Sequence, residues 1–340
     1  MVTNAKESLP KIDAKIERVF HVALAQWYAN NKRELPWRRE PTPYHVAISE
    51  FMCQQTQIVT VLPYYARWMK SFPDWRALAD ANDETVLKHW EGLGYYNRVR
   101  NLHRLAKLVV SDHGGHLPAN SEVLQQLPGI GPYTAAAIAS ISHGERAAVL
   151  DGNVERVLTR MFALPWNVTQ PAVKQRLRNL ASQLLPAKNC GDHNQAMMEL
   201  GALICTPRNP QCLVCPLTAI CLGKHDPEKF PNKTKTPTTK ETQQVAVIVS
   251  GQKIWLLNPQ EPGRWRGFHR LPLLDKNIMV SGKTLTTINF SITRYRVTAV
   301  AVSAKFTNSV PKSGSWLALK DLPDISLPAP HRKILRAIKL

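Results

Sequence analysis

Four cysteines fall within the seventeen residues CTPRNPQCLVCPLTAIC, at positions 205, 212, 215 and 221. The spacing C-x6-C-x2-C-x5-C constrains the fold more than any other feature, because a loop with so many thiols and prolines has too few apolar residues to bury a core of its own. Three chemistries compete for such a loop. Structural zinc commonly uses paired C-x2-C units separated by a longer gap. An all-thiolate compact loop suits an iron–sulfur cluster. A disulfide pair suits an oxidising compartment, but MVTNAKESLPKIDAKIERVF at the start has no apolar core of signal-peptide length, so a cytoplasmic protein with reduced thiols is expected. One C-x2-C with a cysteine at wider spacing on each side favours a [4Fe–4S] cluster over zinc. Cys53 and Cys190 stand apart and read as plain core residues.

The 340 residues suffice for two ordinary domains. Lysine and arginine outnumber aspartate and glutamate, 44 to 25, for a formal net charge of +19, which favours a polyanionic partner, nucleic acid or an acidic membrane surface. The most apolar runs, such as YTAAAIASIS at 133–142, are far too short to span a bilayer. Residues 12–222 read as mostly helical, with apolar spacing of three and four in DETVLKHWEGLGYY and PAVKQRLRNLASQLL. Residues 223–242 are rich in lysine, proline and threonine and read as a solvated linker. Beyond it QQVAVIVS (243–250), KIWLLN (253–258) and RYRVTAVAVSAKF (294–306) carry strand patterns. The expected domains are therefore 1–222, a linker at 223–242 and a smaller sheet-bearing domain at 243–340.

Three further stretches carry chemistry. In LPGIGPYTAAAIAS (127–140), Gly129 and Gly131 remove side chains where backbone N–H groups can approach an anion, at the start of a helix; the same residues also suit an ordinary turn between helices. In VLDGNVERVLTR (149–160), Asp151 opens a helix, a frequent place for an N-cap. In YHVAISEFM, Glu50 has Ile48 and Phe51 beside it. A carboxyl held among apolar groups is protonated near neutrality and suits a general acid; an exposed helix glutamate is the plainer reading.

These motifs jointly resemble the helix-hairpin-helix, or endonuclease III, superfamily of DNA repair glycosylases. The cysteine spacing is similar to that family's cluster loop and LPGIG to the hairpin that grips a DNA phosphate. LPWRR, SEFMCQQTQ, GLGYYNRVRNL, LPGIGPYTA, LDGNVERV and NQAMMELGALIC match its adenine-excising members in order, over roughly 15–222. The resemblance implies a mainly α region of two helical lobes whose cysteines bind a structural [4Fe–4S] cluster. Its loop offers Arg208 to the DNA backbone. Glu50 protonates adenine, Asp151 stabilises or captures the C1′ cation, Asn153 orients Asp151, and Tyr133 lines the reacting centre. Tyr133 stands where strand-cutting members carry a Schiff-base lysine, and Glu155 where some adenine-excising members carry another lysine, so a monofunctional glycosylase is expected. Arg33, Leu35, Trp37, Arg38 and Gln195 correspond to the pocket for the extruded base. Gln55 and Tyr95, with Thr56 next to them, correspond to residues inserted into the base stack. NRVRNLHR (97–104) offers phosphate contacts, while Trp68, Trp90 and Tyr96 read as core.

EPGRWRGFHRLP (261–272) and WLALKDLPDISLPAPHRKIL (316–335) resemble the family's C-terminal, Nudix-like α+β domain, without the clustered glutamates of a Nudix catalytic box. The family's recognition loop carries Phe-Ser/Thr-His, but NFSITRYRV (289–297) holds no histidine in either register. Thr293 and Arg294 are the candidates there. Arg294 suits the N7 and O6 acceptors of guanine, whereas 8-oxoguanine carries a proton on N7. The implied activity is removal of adenine mispaired with 8-oxoguanine or guanine in duplex DNA, by a monomer with no membrane role. The opposite-base preference is relaxed. A pyrimidine glycosylase of the endonuclease III type is the runner-up, disfavoured by Tyr133. A catalytically silent DNA-binding protein is the other rival, disfavoured by both carboxylates being present.

Overall fold

The computed structural model describes residues 9–234, 237–275, 278–307 and 309–340. They gather into two compact units that do not follow the chain in order. One takes the residues up to Val61, then Phe72–Ala79 and Arg104–Thr234; the other takes Leu62–Ser71, Asp80–His103 and the C-terminal residues to Leu340. In chain order the helices are α1 (Ala14–Asn31), α2 (Pro36–Arg39), α3 (Pro43–Cys53), α4 (Ile58–Ser71), α5 (Trp75–Asp80), α6 (Asp83–Trp90), α7 (Asn97–Asp112), α8 (Ser121–Leu124), α9 (Pro132–His143), α10 (Gly152–Met161), α11 (Pro171–Gln183) and α12 (Cys190–Leu203).

Side-chain caps start several of these helices. Asp13 accepts from the Ile16 N–H at 2.8 Å, Thr42 from His45 at 3.2 Å, and Asn82 from Thr85 at 2.8 Å. Each satisfies an N–H that the helix cannot pair internally. In the first unit α1, α10, α11 and α12 close a core around Phe20, Leu24, Leu158, Met161, Leu177, Leu180, Met197 and Leu200. Each such burial is worth about 1.5–3 kcal/mol.

The second unit holds the strands β1 (Thr239–Val247), β2 (Val249–Ser250), β3 (Lys253–Leu257), β4 (Ile278–Ile292), β5 (Tyr295–Phe306) and β6 (Gly314–Ala318), and then helix α13 (Ala329–Ala337). One sheet has the order β1-β5-β4, with β1 parallel and β4 antiparallel to β5; the other has the order β2-β3-β6 and is antiparallel. Val245, Ile254, Leu256, Leu271, Ala301, Ile334 and Leu335 form its core. Trp68 and Trp90, expected as core, are fully buried and meet edge to face at 5.6 Å. Tyr96 packs its ring on Phe268 at 4.3 Å.

Two differences from the sequence reading have physical causes. Of the stretch 223–242, expected to be a solvated linker, residues 235–236 lie outside the described residues, and 223–232 are held to their own unit. Gly223 N–H donates to the Arg160 carbonyl, the Arg160 guanidinium donates to the Phe230 carbonyl at 3.1 Å, and β1 begins at Thr239. Hydrogen bonds thus hold residues 223–232, which carry too few apolar residues to order themselves. Strand β4 reads as polar because most of its side chains are exposed; its register on β5 shifts between Val280 and Thr284 and again between Thr284 and Thr286. That irregularity blurs the period-two pattern.

Candidate active site

Residues 127–131 form a tight turn between α8 and α9. Gly129 has φ 77°, in the left-handed region that favours glycine, and Gly131 caps α9 with extended backbone. A Cβ on Gly131 would meet nothing within 4 Å, so no packing within the chain demands glycine there. Both glycines are exposed at the start of α9, leaving backbone N–H groups accessible to an anion.

Tyr133 lies in the first turn of α9, and its hydroxyl donates to Met198 Sδ at 3.2 Å. The same hydroxyl faces Glu50, which α3 carries after Ile48, with Phe51 and Met52 buried behind it. Burial pushes the Glu50 carboxyl up to about 7; Asp151 adds to the push, and Tyr133 and Arg38 oppose it. Asp151 is the N-cap of α10. Its Oδ1 accepts from the Asn153 and Val154 N–H groups at 3.0 and 2.8 Å, and its Oδ2 from Asn153 Nδ2 at 2.8 Å. Burial raises its pKa as well, but these three bonds and Arg156 work against that rise. Cap and charged group are therefore one and the same. The charge of Asp151 acts on Glu50, and burial raises both carboxyls, with hydrogen bonds opposing the rise at Asp151. Burial, followed by the charges of Glu50 and Asp151, pushes Tyr133 well above its usual range.

The expected base pocket converges on a residue missed in the sequence, Glu199. Its carboxylate, 1% exposed, accepts from Arg33 at 2.7 and 2.9 Å and from Arg38 at 2.9 and 3.2 Å. Burial alone would raise Glu199, but the two guanidinium groups outweigh it and hold the carboxyl at about 2. Arg38 also donates to Gln195 Oε1 at 3.1 Å, and its guanidinium sits 5.6 Å from the centre of the Tyr28 ring. Leu35 and Trp37 are buried beside them on and before α2. Cys53, expected as plain core, is only half-buried, and its thiol lies close enough to act electrostatically on Arg33 and Tyr133.

Gln55 (φ 56°) and Tyr95 (φ 48°) both adopt the left-handed backbone that non-glycine residues rarely use, and both are exposed. Thr56 follows Gln55 and donates to the Gln54 carbonyl at 3.3 Å. The phosphate contacts expected from 97–104 do not extend to Arg98 or Arg100. Arg98 is buried over Trp90 and donates to the Leu93 and Gly94 carbonyls at 3.1 Å, and Arg100 donates to the Arg266 carbonyl. Their charge holds loops of their own unit. Thr293 and Arg294 form the tip of the β4–β5 hairpin; Thr293 has φ 49°, and Arg294 is exposed, stacked 5.3 Å from the Tyr295 ring centre.

Cys205, Cys212, Cys215 and Cys221 line one small pocket of about 30 Å³ and form no disulfide. Among the described residues no three Cys, His, Asp or Glu side chains are close enough to hold a single ion. An all-thiolate set of four in one short loop fits an iron–sulfur cluster. Burial pushes Cys215 up to about 11, and the other thiols add to that rise; a cationic iron centre reverses this. Arg208 is exposed on the loop.

Two buried arginines of α10, also missed in the sequence, tie this loop to Asp151. Arg156 donates to Asn153 Oδ1 at 2.8 Å, to the Gly201 carbonyl at 2.7 Å and to the Cys205 carbonyl at 2.6 Å. Arg160 donates to the Thr206 and Pro207 carbonyls at 2.7 and 3.1 Å and approaches Cys205 Sγ at 3.4 Å. Glu155, on the same helix, is buried with Lys174 3.7 Å away. Helix α12 lies so close to α10 that a Cβ on Gly201 would sit 2.5 Å from Asn153 Cβ and 3.0 Å from its Cα. Gly201→Ala is therefore expected to destabilise the protein by about 1–3 kcal/mol, measured by denaturant unfolding. Wild-type stability in that variant would mean that α10 and α12 have room to separate.

No helix among the described residues is long and apolar enough to cross a membrane. Residues 48–183 match the family of HhH-GPD superfamily base excision DNA repair proteins, and residues 205–221 match the iron–sulfur binding domain of endonuclease III. A thermostable thymine-DNA glycosylase shares 29% identity at a TM-score of 0.57, covering 62% of this chain and 97% of that one. An endonuclease III–DNA complex, 21% identical at a TM-score of 0.55 over 63% of this chain and 98% of that one, shares the fold. The adenine DNA glycosylase of Homo sapiens is 46% identical over 219 residues, which are 62% of this chain and 40% of the human protein. That of Buchnera aphidicola (subsp. Schizaphis graminum) is 33% identical over 343 residues, 94% of this chain and 99% of its own length. The chain therefore belongs to the adenine DNA glycosylase family, whose members are base excision repair enzymes carrying a [4Fe–4S] cluster.

Proposed function

We propose that this protein removes adenine mispaired with 8-oxoguanine or guanine in duplex DNA by hydrolysing the N-glycosidic bond, acting as a cytoplasmic monomer on the nucleoid without cutting the strand. The observation that carries the reading is the pair Glu50 and Asp151, two buried carboxyls of which the first is lifted to about 7 and the second, also raised, accepts three hydrogen bonds that oppose its rise. Adenine leaves poorly unless a ring nitrogen is protonated, and a carboxyl poised at about 7 supplies that proton. Departure leaves positive charge at C1′, which the Asp151 carboxylate stabilises or captures before water completes hydrolysis. Asn153 orients Asp151, and Tyr133 closes the recess without an amine for a Schiff base.

A base inside a duplex cannot reach Glu50, so the adenosine must be extruded. Arg33 and Arg38, held by Glu199, and Gln195, held by Arg38, offer a flat polar pocket, walled by Leu35 and Trp37, for the extruded base. Gln55 and Tyr95, exposed and strained, with Thr56 beside the former, suit insertion into the vacated stack. Gly129 and Gly131 offer N–H groups to one phosphate, and Arg208 offers its charge to another. The four cysteines hold the [4Fe–4S] cluster, whose part is to fix the loop that Arg156 and Arg160 tie to the site. The C-terminal unit, with its mixed sheet and the segments 261–272 and 316–335, is Nudix-like and reads the opposite base. Release of free adenine from A:8-oxoG and A:G duplexes tests the reading; cleavage of an oxidised pyrimidine with adenine untouched would overturn it.

The hairpin tip adds a second expectation. Arg294 donates well to guanine N7 and O6 and poorly to the protonated N7 of 8-oxoguanine. Single-turnover excision is therefore expected to favour A:8-oxoG over A:G less than in a relative with histidine in this loop. An equal ratio would remove Thr293 and Arg294 from opposite-base recognition.

A further inference from the structure

In the second unit, Arg67, Lys88, His89, Glu91, Arg332 and Arg336 line a cavity of about 580 Å³ floored by Leu319, Leu322 and Pro323. Setting His89 aside, four cationic side chains and one carboxylate side chain line it, with Leu340 beside them. Part of that charge builds the wall. Arg332 clamps Glu91 through two bonds of 2.7 and 3.0 Å and uses two further donors on the Leu322 and Ile325 carbonyls at 2.5 Å. Lys88 lies 3.4 Å from Glu91 and donates to the Pro323 carbonyl.

Arg67 and Arg336 are placed differently. Both are exposed. Arg67 is stacked over Tyr64 at 4.6 Å and anchored by one bond of 3.1 Å to the His89 carbonyl, while Tyr64 itself donates to the Glu91 carbonyl at 3.0 Å. Four of its five guanidinium N–H groups are left over. The Arg336 side chain makes no hydrogen bond or ion pair among the described residues.

We propose that this cleft binds a phosphoryl oxyanion, with Arg67 and Arg336 as its ligands and the Arg332–Glu91–Lys88 cluster as its rigid wall. Planar guanidinium forks match phosphate oxygens two at a time. Cationic side chains outnumber the one carboxylate side chain of the lining, and the volume admits a phosphate chain or a phosphate with an attached group. The occupant is either a phosphate of the nucleic acid backbone or a small free phosphate compound.

Calorimetric titration of the cluster-bearing full-length protein with sodium tripolyphosphate tests the site. Binding is expected to weaken by about tenfold for each arginine removed in Arg67→Gln and Arg336→Gln. Both side chains are exposed, so the variants should fold. The salt dependence of duplex binding separates the sources. A log–log slope smaller by about 0.9 in the double variant assigns the site to one backbone phosphate, and an unchanged slope assigns it to a small phosphate. Undetectable tripolyphosphate binding in the wild type, or equal binding in the double variant, would overturn the proposal.

Discussion

Replacing Glu50 with glutamine is expected to slow adenine excision by about 10²–10⁴-fold, the range a positioned general acid supplies, while making the folded protein more stable at pH 8. The two effects share one cause. Burial raises Glu50 from 4.5 to about 7 in the folded state. A carboxyl so raised contributes stability that is fully present below its unfolded value and is lost as pH rises through about 7. At pH 8 the wild type therefore keeps a buried carboxylate at a cost of order 3 kcal/mol, an upper figure for a partly exposed residue. Glutamine keeps the shape and removes the charge. Denaturant unfolding at pH 8 and pH 5 checks this: the variant should gain clearly at pH 8 and much less at pH 5. A variant that is inactive and equally stable at both would mean that Glu50 is solvated.

Asp151→Asn separates the two roles of one side chain. Asparagine caps helices about as well as aspartate, so α10 should persist and stability should change by less than about 1 kcal/mol. What disappears is the negative charge beside C1′. Losing one such electrostatic contact costs about 10²–10³ in rate, and more if the carboxylate captures the cation covalently. Single-turnover excision together with duplex binding tests this: turnover should collapse while affinity for the mispaired duplex survives. Unchanged turnover would remove Asp151 from the mechanism and leave it as a cap alone.

The features legible in the sequence are those in which backbone and chemistry make the same demand. Asp151 is conspicuous because a helix must start there, and Gly129 because its φ of 77° suits few other residues. The cysteine spacing is conspicuous because a short loop cannot fold around thiols without a common ligand. Glu199 was not legible: it sits among Ala, Met and Leu on α12, and its partners Arg33 and Arg38 are more than 150 residues away. Arg156 and Arg160 look like an ordinary helix face at spacing four, yet both are buried because loop carbonyls absorb their donors. The basic run at 97–104 misled for the converse reason, since Arg98 and Arg100 meet carbonyls of their own unit. In each case an interaction distant in sequence decides what a charged residue does. The clustering of 62–71 and 80–103 with the C-terminal residues is hidden in the same way, because it rests on pairs such as Glu91 with Arg332, 241 positions apart.

The most direct test is the pH dependence of single-turnover adenine release by the unmodified enzyme. With Glu50 as the acid and its carboxyl at about 7, the rate should fall about tenfold for each unit above that pH. The Glu50→Gln variant should show no such break. A wild-type rate that stays constant to pH 9 would contradict the account.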